Sequence, residues 1–239
     1  MEVTTELLKR FTILKSLSEA TLRAIADQST VKKFARRGIV LTAGEHDDHM
    51  CFLFEGRLQG VDFTIDGREV GLFFVEPGDF CGELGFFDDG PQSEFIIALT
   101  AAVVIFIRKE AIREIMVSNP KILNVLGGKL AARIRQMTFQ RSLLGLPNIT
   151  QRVCWQLWML VPKGDSEKRD GGNELRPIAI ENPPTHLEIA IMLNISRETV
   201  TRVFQSLQKQ QIVKRDGSGK LLVNDFMKLK QLAEGSVEI

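Results

Sequence analysis

The chain has 239 residues, 31 basic and 30 acidic side chains, a formal net charge of +1 and 44% hydrophobic residues. That length suits two modest domains. No apolar run reaches membrane-spanning length and the N-terminus lacks a signal-peptide pattern, so a cytoplasmic protein with no membrane partner is expected. Cys51, Cys81 and Cys154 are scattered and odd in number, which argues against a disulfide framework or a Cys-only metal cluster. The charge is unevenly spread: 13 basic and 19 acidic residues over 1–119, 5 and none over 120–148, 13 and 11 over 149–239. An acidic N-terminal part joined to a mildly basic C-terminal part suits a sensor joined to a DNA reader.

In chain order, Thr5–Leu14 and Ser18–Gln28 read as short helices, the second capped by Ser18. From Val31 to Arg108 short apolar runs alternate with glycine-marked turns. Ile39–Leu41, Cys51–Phe54, Gly60–Ile65, Val70–Val75, Phe95–Leu99 and Ala102–Ile107 are the strand candidates, a pattern that reads as a β-barrel or jelly roll. Between them lies Gly78-Asp79-Phe80-Cys81-Gly82-Glu83-Leu84-Gly85, followed by Asp88-Asp89-Gly90-Pro91-Gln92-Ser93. Gly82 would let backbone N–H groups approach an oxyanion, and Glu83 could accept from sugar hydroxyls. The same residues could equally form a plain turn packed on the barrel.

Lys109–Val117 reads as a helix. Ser118-Asn119-Pro120 then starts a long one, with proline at its first helical position. Leu123, Leu126, Leu130, Ile134, Met137 and Leu144 follow at spacings near a heptad seam, so this helix is expected to dimerise. Gly127-Gly128 weaken it locally, by roughly 1 kcal/mol each relative to alanine. Leu146-Pro147-Asn148 would be a hinge, with Thr150 capping the next helix. Pro162 to Arg176 reads as an exposed connector, or as a contact surface for another protein such as RNA polymerase.

Thr185 and Glu188 have capping-box spacing, with Pro183-Pro184 ahead of them. The short helix they open ends at Asn194, a residue that tolerates the left-handed conformation of a tight turn. Ser196 then caps a second helix, whose buried face is Val200, Val203, Phe204 and Leu207. Arg197, Glu198, Thr201 and Arg202 fall largely off that face. Arginine can bond two guanine acceptors and glutamate can accept from cytosine N4. Ile212–Arg215 and Lys220–Val223 around Asp216-Gly217-Ser218-Gly219 read as a β-hairpin, so the whole is a winged helix-turn-helix. A capped helix hairpin with a solvated charged face is the plain alternative.

These motifs together resemble the CRP/FNR family of bacterial transcription regulators over nearly the whole chain. The order is β-roll, Gly-Asp-x-x-Gly-Glu-Leu-Gly loop, long helix, and Ser-Arg-Glu-Thr-Val-x-Arg. The resemblance implies an α+β protein with no enzymatic activity. An N-terminal double-stranded β-helix (jelly-roll, cyclic-nucleotide-binding-like) sensor would span 1–118, a dimerisation helix and hinge 119–147, and a winged helix-turn-helix 148–239. It implies a homodimer on a palindromic operator with TGTGA-like half-sites. Thr185, His186, Ser196, Arg197, Glu198, Thr199, Thr201 and Arg202 would be the DNA-binding residues. Arg197, Glu198 and Arg202 match the family's base readers, and His186 stands where an arginine often contacts phosphate.

By the same resemblance, Gly82, Glu83, Leu84, Gln92, Ser93, Met137 and Thr138 would line an effector pocket for a cyclic nucleotide or cyclic dinucleotide. Here the sequence departs from the cyclic-AMP pattern. Gln92-Ser93 replaces the Arg-Ser that pairs with the cyclic phosphate, Glu94 follows it, and Met137-Thr138 replaces a Thr-Ser pair. Glutamine supplies no charge, and Glu94 would repel a phosphate if it faced inward. A ligand-independent regulator with a degenerate pocket is therefore the alternative. No metal is expected. The first fifty residues lack cysteines for an iron–sulfur cluster, and Glu83 replaces the axial histidine of haem sensors. A cupin-like metalloenzyme would have only His46 and His49 in the β region. An interaction scaffold whose winged helix binds protein is a further alternative.

Overall fold

The computed structural model describes residues 2–162, 177–217 and 219–238. The chain divides into two compact units, Met1–Met137 and Thr138–Ile239. No helix among the described residues is long and apolar enough to cross a membrane.

The first unit opens with α1 (Thr5–Leu8) and α2 (Glu19–Asp27). The helix expected over Thr5–Leu14 stops at Leu8. Phe11, Ile13 and Leu14 instead leave it through turns and enter the core, which a continued helix could not allow for all three. Ser18 caps α2 as its spacing predicts, accepting from the Thr21 N–H. Glu19 ties the two helices together by accepting from Thr5 and pairing with Lys9.

Eight strands follow: β1 (Thr30–Phe34), β2 (Ile39–Leu41), β3 (His49–Glu55), β4 (Leu58–Phe63), β5 (Glu69–Val75), β6 (Phe80–Cys81), β7 (Phe95–Ala98) and β8 (Ala102–Arg108). They form two antiparallel four-stranded sheets, β1-β8-β3-β6 and β2-β7-β4-β5, with one hydrophobic core between them. This is the expected β-roll. Strand β1 has no apolar run to announce it. It is an edge strand carrying Lys32 and Lys33, charges that discourage edge-to-edge pairing. Gly60 on β4 is needed for packing, because a Cβ there would meet the Phe73 ring at 2.5 Å.

Helix α3 (Lys109–Ser118) leads into α4 (Lys121–Leu144). Asn119 accepts from the Lys121 N–H, so α4 starts just after Pro120. The seam expected along α4 needs one correction. Leu126 is fully buried in its own unit, in the core of Leu8, Phe11, Ile112 and Ile122, and cannot face a second copy. Leu123, Ile134 and Met137 are exposed, Leu130 and Leu144 are half-buried, and Leu143 is the residue that enters the second unit's core. The outward line is thus Leu123, Gly127, Leu130, Ile134 and Met137, alternately four and three residues apart. A Cβ on Gly127 would meet nothing within 4 Å.

In the second unit, α5 (Ile149–Met159) is capped by Asn148, which accepts from the Gln151 N–H, not by Thr150 as expected. Next come β9 (Ile178–Glu181), α6 (His186–Leu193), α7 (Arg197–Lys209), β10 (Val213–Asp216), β11 (Lys220–Val223) and α8 (Phe226–Glu234). The expected hairpin is β10-β11. Strand β9, absent from the sequence reading, adds to it as a third strand. Trp158 stacks on Phe226 with centroids 4.4 Å apart, joining α5 to α8. The connector expected over 162–176 lies outside the described residues, except for Pro162.

Leu126→Ala should destabilise the first unit by about 2–5 kcal/mol, the usual range for emptying a buried leucine site. Denaturant unfolding would show this as a lower midpoint. An unchanged midpoint would return Leu126 to the outward face.

Candidate functional site

The helix pair in the second unit is built from local signals. Both capping-box bonds form: the Glu188 N–H donates to Thr185 Oγ1 at 3.3 Å, and the Thr185 N–H to Glu188 Oε2 at 2.9 Å. Asn194 sits at φ 50, ψ 50, the left-handed conformation that turns α6 into α7. Ser196 Oγ then accepts from the Thr199 N–H at 3.1 Å. Val200, Val203, Phe204 and Leu207 are buried, which fixes the helix rotation. Ser196, Arg197, Glu198 and Arg202 are therefore exposed, and Thr199 and Thr201 half-exposed. The Glu198 backbone N–H and the Ser196 hydroxyl hold the Glu198 carboxyl below the usual carboxylate range. It is a charged acceptor at neutral pH, flanked by two arginines. Lys214, Arg215 and Lys220 are exposed on the wing strands.

His186, expected as a phosphate contact, is engaged by neighbouring side chains of the helix pair. Its ring packs 4.4 Å from that of Phe204, and its Nδ1 lies 3.0 Å from Thr201 Oγ1. Thr201 Oγ1 already donates to the Arg197 carbonyl at 2.9 Å, so it accepts from His186 Nδ1–H. That leaves Nε2 as a bare acceptor, and it is buried without a hydrogen-bond partner. Burial, followed by Arg215 and Arg197, holds the histidine below its ordinary range. Its place in the structure is to fasten α6 to α7.

The second constellation lies in the first unit. Gly82, at φ +81, opens the loop, and a 3-10 turn (Leu84–Phe86) follows Glu83. Glu83, Gln92 and Glu94 are buried, Leu84 half-buried and Ser93 exposed. Glu94 faces inward, as feared for a phosphate site. Gln92 Nε2 donates to its Oε1 at 3.1 Å, and Ser93 donates to its Oε2. Both side chains available to hold a phosphate are thus turned onto a carboxylate. Met137 and Thr138 are exposed on α4.

Three participants escape sequence reading. Arg133 on α4 is buried, with Nη1 2.9 Å from Glu83 Oε1 and 3.8 Å from Glu94 Oε1. Its guanidinium lies over the Phe73 ring, 3.8 Å from the centroid, and Phe73 reaches that place over Gly60. Burial pushes the Glu83 carboxyl up, and Arg133 opposes the shift. Among the described residues no group of three or more His, Cys, Asp or Glu could hold a metal. His49 Nδ1 bonds Asp47 instead, at 3.0 Å.

Comparison with known proteins places both sites in recognised domains. Residues 31–119 match the cyclic nucleotide-binding domain family, and residues 151–232 the Crp-like helix-turn-helix domain family. The chain is 27% identical over 200 residues to a cAMP-activated global transcriptional regulator of Pasteurella multocida, covering 83% of this chain and 92% of that one. It is 26% identical over 228 residues to the CRP-like cAMP-activated global transcriptional regulator of Mycobacterium tuberculosis, covering 95% and 99%. The solved structure of a CooA mutant from Carboxydothermus hydrogenoformans shares the fold, with TM-score 0.72 at 19% identity over 98% of this chain and 97% of that one.

The His186 geometry sets a pH dependence. A histidine held below its ordinary pKa binds a proton less readily folded than unfolded, so its contribution is complete above about pH 6.5 and is lost as pH falls. It is the histidine of residues 138–239. The melting temperature of the second unit in the full chain should drop from about pH 7.5 to about 5.5. His186→Gln should flatten that drop, and an equal drop in the variant would refute the assignment.

Proposed function

Because this chain belongs to the CRP/FNR family of transcription regulators, we propose that it binds a palindromic operator as a homodimer and does so without needing cyclic AMP. The chain is a DNA-binding regulator and not an enzyme. The observation that carries the reading of its DNA contact is the first turn and a half of α7. Arg197, Glu198 and Arg202 are exposed there while the opposite face is locked in the core. Arg197 and Arg202 read guanine edges, and Glu198 accepts from a cytosine amino group. Thr185, Ser196, Thr199 and Thr201 hold the helix ends in place near the backbone. The two half-sites are TGTGA-like. RNA polymerase is the partner expected downstream of operator binding, and the cytoplasm is the compartment.

The dimer forms along Leu123, Leu130, Ile134 and Met137, which leave an apolar line on a helix that otherwise carries charge. Gly127 lies in the same line and allows close approach.

The reading of the effector pocket rests on Glu94. A cyclic phosphate brought beside Gln92 and Ser93 would meet a carboxylate that those two side chains already bond. Phe73 and Arg133 fill the neighbouring space. In this reading the chain has closed the pocket of its cyclic-nucleotide-binding-like domain. A cyclic nucleotide or cyclic dinucleotide effector is the alternative, favoured by the domain family and by the cAMP-activated relatives.

Operator affinity, measured with and without cyclic AMP, cyclic GMP and cyclic di-GMP, should change less than about twofold. Strong dependence on any of them would overturn the closed-pocket reading. Arg202→Ala should lose about 1–3 kcal/mol on the preferred operator and relax one base pair per half-site. An unchanged preference in a binding-site selection would remove Arg202 from the base readers. Ile134→Asp should place an unpaired carboxylate in the seam and yield monomers that bind operator weakly. Sedimentation showing an intact dimer would mean the seam lies elsewhere.

A further inference from the structure

Lys109, the first residue of α3, is buried, with 8% of its surface exposed. Its backbone N–H donates to the Asp48 carbonyl at 2.8 Å, but its ammonium has no hydrogen-bond or ion-pair partner among the described residues. A buried charge in that state is strongly unfavourable. The ammonium lies against the bare backbone of Gly85, 2.9 Å from where a Cβ would stand. Lys109 and Gly85 both line a cavity of about 390 Å³ between the start of α3 and the loop after Gly82, which Glu83, Gln92 and Glu94 do not line. Arg108, at the N-cap of α3, supplies no side-chain bond to the first turn. Backbone N–H donors and the positive end of the helix dipole are therefore left at the same end as the ammonium. The mouth of the cavity has the opposite sign. Asp47 bonds His49 and Asp89 pairs with Arg113, so those two acids are engaged. Asp48 and Glu110 are exposed and have no ion-pair partner among the described residues.

We propose that this cavity is a second ligand site of the first unit and that it binds a free α-amino acid. The carboxylate goes inward to Lys109 and the start of α3, and the ammonium stays at the mouth with Asp48 and Glu110. The buried ammonium calls for an anion, and a carboxylate supplies a charge-assisted hydrogen bond. A phosphate dianion would have to bring two negative charges past the two free acids. A zwitterion satisfies both ends with no net charge of its own. The volume lies within the usual range for small-molecule pockets, about 300–1,000 Å³, and leaves room for a side chain. Gly85 and Gly90 belong to the loop after Glu83, so an occupied cavity ties that loop to α3. The site is separate from the effector pocket, and the proposal does not depend on how that pocket is read.

The test presents the standard α-amino acids, one at a time and at millimolar concentration, to the full-length protein. At least one should raise the melting temperature and bind saturably by calorimetry. Its N-acetyl derivative lacks the ammonium and its decarboxylated amine lacks the carboxylate, and each should bind about tenfold or more weakly. Inorganic phosphate should show no saturable binding. Lys109→Met should weaken the amino acid about tenfold or more. Its unliganded melting temperature should stay level or rise, because a buried charge is removed and no pair is broken. Asp48→Asn combined with Glu110→Gln should weaken the amino acid but not its N-acetyl derivative. Absence of binding by every amino acid, or binding that survives Lys109→Met, would overturn the proposal. Equal binding of the N-acetyl derivative, or saturable phosphate binding, would overturn it in favour of a plain anion site. A lower unliganded melting temperature for Lys109→Met would show that the ammonium already has a partner, which also overturns it. Should Lys109→Met fail to fold, the exposed double variant decides, and unchanged amino-acid affinity there would overturn the proposal.

Discussion

Two carboxylates are buried side by side inside the β-roll, and Arg133 is what permits them to stay. An unpaired buried charge is strongly unfavourable, and removing one partner from a buried ion pair costs about 3–5 kcal/mol. Glu83 has no exposed surface, and its carboxyl is already pushed up by burial. Without the guanidinium beside it, the loop after Gly82 would have to open to water or take up a proton. The positions of Gln92, Ser93 and Phe73 follow from the same cluster. The buried ion group is weak evidence for high stability, since apolar residues of the same volume could do as well. It does specify one arrangement of loop against helix.

The winged helix was legible because its signals are local. Thr185 and Glu188 are three residues apart, Asn194 needs only its own backbone preference, and Ser196 caps by reaching Thr199. Each bond closes within a single turn, so sequence spacing translates directly into geometry. The contacts of His186 were not legible, for the complementary reason. Its partners Thr201 and Phe204 lie on the next helix, and only their packing shows that the ring faces inward. The strands were legible where they are apolar. Strand β1 escaped because its lysines break up the apolar run, and β9 because it is four residues long beside prolines.

The pocket was half legible. Glu94 follows Gln92 closely enough to raise the question of its direction, and the structure answers that it points inward. Arg133 carried no such signal. An arginine on a helix between Arg135 and Lys129 reads as surface, and its partners Glu83, Glu94 and Phe73 are far away in the chain. Only tertiary structure brings a cation onto an aromatic face between two acids. Leu126 shows the same limit from the apolar side. A heptad count cannot distinguish a leucine that faces a second copy from one that faces its own core.

Arg133 and Ile134 are neighbours on one helix, and this joins the pocket to the proposed seam. Consecutive helical residues point about 100° apart, so a rigid helix cannot turn one without turning the other. With Arg133 anchored on Glu83 and stacked on Phe73, α4 has its rotation set within the first unit, and Ile134 and Met137 are left outward. The anchor is part of the polypeptide. The cost of ordering this part of the helix is then met during folding.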